Sequence, residues 1–254
     1  MELQTILDRY AEAIESIDRR PPTPGQNRRT QTSYHPGFFS LDERVAIRSI
    51  DETWTFLHPN ELRVHRYEVP YPSTVGLNGR TTKLDHMIDT RPTAEGPTEW
   101  GIEVKRLQSV GDNGGVNDFV TTKVLSPYLK DRGMLHDALR LREYGFTNRV
   151  AVIGYGFSYT ENSLEEARLR FQDPSELAVI KKIATSVARS GPMTLDPLVE
   201  FADAILRLRG YTRGPRAQQT FTAWTHPAGG HGLLFGWEIR RPREEAGFDP
   251  RHPW

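Results

Sequence analysis

The sequence predicts an α/β domain with a mixed central sheet flanked by helices, an extra helix in front, and helices plus a β-hairpin behind. Three observations carry this expectation. Residues 100–107 alternate Trp100, Ile102 and Val104 with Gly101, Glu103 and Lys105, the two-residue period of a strand with unlike faces. Residues 149–157, RVAVIGYGF, form a nearly continuous apolar run, which suits a strand covered on both sides. Elsewhere apolar residues recur at helical spacing behind capping residues.

In chain order, Leu3, Ile6, Leu7, Tyr10, Ile14 and Ile17 make one apolar stripe, ended by Pro21, Pro22, Pro24 and Gly25. Such a helix either packs on its own domain or serves as a dimer contact. Residues 1–24 therefore read as a helix and linker ahead of one domain, 25–254, with a core at about 40–157 and an extension at 158–254. Residues 26–39 read as irregular, with Arg28 and Arg29 touching phosphate or simply solvated. Ser40 and Glu43 form a capping box for a helix that His58-Pro59 stops. Residues 61–71 read as a strand, and Leu77-Asn78-Gly79-Arg80 as the turn into the next.

Two strands within 82–107 are joined by a loop with Pro92, Gly96 and Pro97. A glycine-rich loop at 111–115 follows, then a mostly helical stretch, 117–144, interrupted near Ser126-Pro127 and at Gly133. Gly154 and Gly156 lack the third glycine and following helix of a nucleotide-binding loop. Ser163 with Glu166 marks one helix start, and Asp173, Pro174 and Glu176 mark another that runs to Ser190. A helix from Pro197 to Leu208 is stopped by Gly210. Residues 220–225 and 233–240 pair as a hairpin around HPAGGHG, whose His226 and His231 have no acid close in sequence to complete a metal site. Arg207, Arg209, Arg213 and Arg216 are the densest basic cluster, either a track for a phosphate backbone or a solvated face.

Composition narrows the function. Lys and Arg number 33 and Asp and Glu 33, so no overall field recruits nucleic acid and any basic surface is local. The absence of cysteine excludes disulfides, thiolate metal sites and cysteine nucleophiles. No apolar run reaches the roughly 20 residues of a membrane span, and the first residues lack a signal pattern, so a cytoplasmic, soluble protein is expected. Only 6 of the 33 basic residues are lysine, which makes Lys105 a candidate for chemistry that wants a compact ammonium.

The candidate chemistry lies in TKLDHMIDTRPTAEGPTEWGIEVKRL, residues 82–107. Glu103 and Lys105, two apart on a strand, emerge on one face. Asp85 and Asp89 share a face of the preceding strand, and if the strands pair, an Asp, a Glu and a Lys converge. Two carboxylates can hold a hard divalent cation, and an adjacent ammonium can orient a water or neutralise phosphate charge. Glu43, on the inward face of its helix, is either only a cap or a third acid at that metal.

The order helix, strand, Asp-bearing strand, Glu-x-Lys strand, helix, strand resembles the core of the PD-(D/E)xK nuclease superfamily over residues 40–157. The resemblance implies a restriction-endonuclease-like fold. It implies that Asp85 and Glu103 bind Mg²⁺, or Mn²⁺ in its place, with the Val104 carbonyl as a further ligand and Lys105 as the catalytic lysine. Leu84 stands where the motif has proline, and Asp89 is the rival metal ligand at the strand exit. The expected activity is a Mg²⁺-dependent DNA endonuclease of restriction or phage defence, leaving a 5′-phosphate and a 3′-hydroxyl. The alternative is an inactive module of the same fold for nucleic-acid binding or assembly. DNA is the expected partner, with a homodimer or partner protein as further assembly states and no membrane.

Overall fold

The structure, a computed structural model, describes residues 1–26, 31, 33–75, 81–93, 96–117, 133–144 and 147–240. Arg28, Arg29, the turn at 77–80 and the expected break at Ser126-Pro127 lie outside them. Six strands form one sheet: β1 (Val64–Val75), β2 (Thr81–Asp89), β3 (Trp100–Leu107), β4 (Arg149–Phe157), β5 (Ala217–Ala223) and β6 (Gly230–Glu238). Their spatial order is β1-β2-β3-β4-β6-β5. Among the described residues only β3 and β4 run parallel, so the sheet is mixed. A parallel pair needs a crossover connection, and the helix α3 (Met134–Tyr144) lies within it.

The remaining helices are α1 (Leu3–Arg19), α2 (Glu43–Leu57), α4 (Glu161–Arg170), α5 (Pro174–Ser190) and α6 (Asp196–Leu208). Alternation along the strands sorts them into two layers. Trp100, Ile102 and Val104 of β3, with Ala151, Ile153 and Tyr155 of β4, bury against α1, α2, α4 and α5. Leu107, Val150 and Val152 face the other way, onto α3 and α6. No helix among the described residues is long and apolar enough to cross a membrane.

The front helix is not an appendage. Ile6, Leu7, Tyr10 and Ile14 of α1 are fully buried in the same cluster as the sheet residues. Each such side chain contributes about 1.5–3 kcal/mol of burial, so a boundary at residue 24 does not separate two cores, and the stripe packs on its own domain. Asp18 at its end accepts backbone N–H groups of Phe38 and Thr225, both at 2.8 Å, tying the helix to two distant loops.

Two helix starts differ from the expected ones. Ser40 ends a short 3-10 turn, Phe38–Ser40, and Asp42 caps α2 by accepting from Val45 N. The capping box of α4 is Thr160 with Ser163, shifted three residues towards the N-terminus, because the helix begins at Glu161. Gly154 sits mid-strand for a packing reason: a Cβ there would lie 2.3 Å from the Phe235 ring.

The sheet is irregular at two points of β1, a register shift between Pro70 and Val75 and a backbone outlier at Glu68. Glu68 in β1 has φ +56°, a left-handed conformation rare for a residue with a side chain. Tyr67 pairs with His86 and Val69 with Leu84, leaving Glu68 opposite Asp85 outside the ladder. On the other side, β2 and β3 pair only over His86–Ile102, Met87–Gly101 and Ile88–Trp100. The ladder therefore opens at Asp85 on both sides.

Candidate active site

Glu103 and Lys105 occupy the α3 face of β3, and Asp85 approaches them from β2. Where the ladder stops, the Asp85 carboxylate takes the place of a backbone partner and accepts the Val104 N–H at 2.8 Å. The Asp85 and Glu103 carboxyls are within hydrogen-bonding reach of each other. Burial raises the Asp85 pKa to about 6, against the pull of the Lys105 ammonium and the Val104 N–H. Burial also drives Glu103 well above the usual carboxylate range, and the charges of Asp85 and Asp137 push it further. Two carboxyls this near each other could share a cation, and their hard oxygens suit Mg²⁺.

The helix α3 supplies three-dimensional neighbours that were not apparent in the sequence. Asp137 Oδ2 lies 3.0 Å from Lys105 Nζ, and Arg140 donates to Asp137 Oδ1 at 2.6 Å and Glu103 Oε1 at 3.3 Å. Tyr71 of β1 donates its hydroxyl to Glu103 Oε1 at 2.7 Å. Burial alone would lower the Lys105 pKa, but the four surrounding carboxylates, Asp137 foremost, hold it above the ordinary lysine value. Lys105 is thus a positioned ammonium with an 11% exposed side chain, not a free surface charge. In sequence, Asp137 and Arg140 look like an ordinary i,i+3 surface pair, and nothing in their spacing points to the site.

Glu43 is not the cap of its helix; its side chain turns instead towards Lys105 and Arg106. It opens α2, where Asp42 rather than Glu43 makes the cap, and it reaches the site. Its Oε2 accepts the Arg106 N–H at 3.0 Å, and its Oε1 lies 3.8 Å from Lys105 Nζ. Asp89 is placed apart from this group. Arg91 and Arg63 clasp its buried carboxylate at 2.7 and 2.5 Å, and the Arg91 hydrogen bonds lower its pKa to about 2. Both its oxygens are taken by these cations, so it serves as an anchor for the strand exit.

The arginine cluster is divided among acids. Arg207 pairs with Asp203 at 2.7 Å, Arg216 with Glu200 at 2.7 Å and Arg213 with Glu238 at 3.7 Å, while Arg209 lies beside Tyr211. These contacts gather around α6, β5 and β6, on the other side of β4 from Asp85.

His226 does find an acid, contributed by a loop more than a hundred residues away. Asp112 of the glycine-rich loop accepts from His226 Nε2 at 2.8 Å and lies 3.3 Å from His35 Nδ1, so three potential metal ligands converge. The Ala228 N–H donates to His226 Nδ1 at 2.9 Å, however, which fixes the ring as the Nε2–H tautomer. That nitrogen already carries a proton directed at Asp112. The trio is a hydrogen-bonded clasp between loops.

A second network links buried Tyr10, His86 and Asp51 to the more exposed His65 over distances of 2.6, 2.8 and 2.9 Å. Each of its central polar groups has a partner, and it braces α1 and α2 against the strand carrying Asp85. No protein family, curated protein or solved structure matches the chain.

Proposed function

We propose that the chain is a divalent-metal-dependent nuclease that hydrolyses phosphodiester bonds in DNA with a restriction-endonuclease-like core. The observation that supports this reading best is the meeting of Asp85, Glu103 and Lys105 where the β2–β3 ladder opens. A structural ion pair would need neither the opened ladder nor two carboxyls brought together in a buried place.

Asp85 and Glu103 would hold Mg²⁺ or Mn²⁺. When bound, the ion supplies Lewis-acid polarisation of the phosphate and acidifies its water. As ligands both carboxyls would be ionised, so a proton held on Glu103 would pass to solvent. Asp137 holds the Lys105 ammonium, which orients the attacking water and offsets the charge gathering on the phosphorane. The water gives up a proton to solvent as its oxygen bonds to phosphorus, the bond to the 3′ oxygen breaks, and that oxygen takes a proton from solvent to give a 3′-hydroxyl and a 5′-phosphate. Arg140 and Tyr71 fix the Glu103 carboxyl against rotation.

The test is incubation of purified protein with plasmid and linear DNA in Mg²⁺, Mn²⁺ or EDTA, alongside Glu103→Ala and Lys105→Arg. The expected result is metal-dependent cleavage, lost in EDTA and in Glu103→Ala. DNA binding without cleavage in either metal would favour the non-catalytic module instead.

A further inference from the structure

The backbone outlier in β1 lies beside this site. Left-handed backbone at a residue with a side chain persists only where the surroundings over-determine it, and Glu68 faces Asp85 across the β1–β2 register. A single oxygen of its side chain, Oε2, takes both Arg44 at 2.5 Å and Lys83 at 3.0 Å. Arg44 follows Glu43 in the first turn of α2, so it stands next to a residue already in the site.

The two cations remain open to solvent, with Arg44 67% and Lys83 42% exposed, while the Glu68 side chain between them is 23% exposed. Exposed ion pairs of this kind add little to stability, so stability gives no reason to keep a strained residue in a strand. Two cations converging on one anionic oxygen is, however, how proteins grip a backbone phosphate.

We propose that Arg44 and Lys83 form a phosphate-contact pair for the nucleic-acid strand beside the scissile bond, and that the Glu68 carboxylate occupies that phosphate's place until the strand enters. This rests on the nuclease reading above and adds the residues that position its substrate. The ligand recognised is the sugar-phosphate backbone, so the contact carries no base preference. Binding exchanges one anion for another at the same two cations, and no covalent step is involved.

The experiment is fluorescence anisotropy of a labelled DNA duplex titrated with the whole chain in EDTA, over a series of salt concentrations. The variants are Arg44→Ala/Lys83→Ala and Glu68→Gln, with the single substitutions Arg44→Gln and Lys83→Gln as milder counterparts. Melting temperatures establish that each is folded. The double variant is expected to weaken binding about 10-fold at low salt and to flatten the log–log salt dependence by about 1. Glu68→Gln, which frees both cations from a competing charge, is expected to tighten binding. An unchanged salt slope in the folded double variant, or in both single variants should the double not fold, overturns the phosphate contact. Unchanged binding by Glu68→Gln overturns the placeholder. A chain that cleaves DNA while the double variant keeps its slope sinks this inference alone, whereas a chain that neither binds nor cleaves DNA sinks the nuclease reading and this with it.

Discussion

Asp85 shows how a site can oppose its own fold, and Lys105 how another part of it supports the fold. The folded pKa of Asp85, about 6, lies above the 3.8 of a free aspartate, so its contribution to stability is fully present below pH 4 and lost as pH rises through 6. The ceiling on this penalty is about 3 kcal/mol, which screening at a partly exposed group reduces to about 1–2. Asp85→Asn should therefore abolish metal-dependent cleavage yet raise the melting temperature at pH 8 without metal, with the gain fading below pH 5. A melting temperature that falls at pH 8 would refute the strained-carboxyl account. Lys105→Ala should lose at least about 100-fold in cleavage rate. It should also destabilise by about 1–2 kcal/mol, because buried Asp137 loses one of its two cations and keeps only Arg140. Lys105→Arg should keep most of that stability and still cleave poorly, since a planar guanidinium cannot take the ammonium's place. Comparing rates and melting curves for the three variants checks both effects. The sequence foretold the meeting of Glu103 and Lys105, because strand alternation fixes it locally. Asp137, Arg140 and Tyr71 remained hidden because α3 and β1 reach the site only through tertiary packing.

At the scale of elements, strongly patterned segments were legible and marginal ones were not. The Asp173-Pro174 start of α5 and the apolar run of β4 appear where the sequence puts them, since cap chemistry and burial on both faces act locally. The start of α2 shifted because Asp42 and Ser40 both suit capping, and the Phe38–Ser40 turn decides between them. Packing has the largest consequence at α1. Ile14→Ala, in a fully buried position, should cost about 2–4 kcal/mol. Removal of residues 1–24 should leave no cooperative thermal transition, measured by circular dichroism, rather than a trimmed active domain. The loop clasp makes a different prediction. His226→Ala should lower the melting temperature by several degrees, about 5 °C, while added Zn²⁺ leaves that of the unaltered chain where it was. A large Zn²⁺-dependent rise would mean that the His35–Asp112–His226 trio binds metal after all.

Across the whole molecule, the sheet order determines what can close and when. α1, at the front of the chain, lies on β5, near its end: Gln4 accepts from Gln218 N, Glu15 from Thr222 N and Asp18 from Thr225 N. The mixed sheet was readable as a class, because one buried strand and one two-faced strand between helices leave few other arrangements. The crossing of first helix to last hairpin was not, since nothing in a local window encodes contacts over 200 residues apart. On the ribosome, at roughly 5–20 residues per second, α1 emerges long before the hairpin it lies on. For that interval α1 lacks the hairpin strand that lies along it, and α1 is a natural client for a chaperone. Synthesis halted before residue 217 should leave the nascent chain protease-sensitive along its whole length, with protection arriving only once β5 and β6 have cleared the exit tunnel.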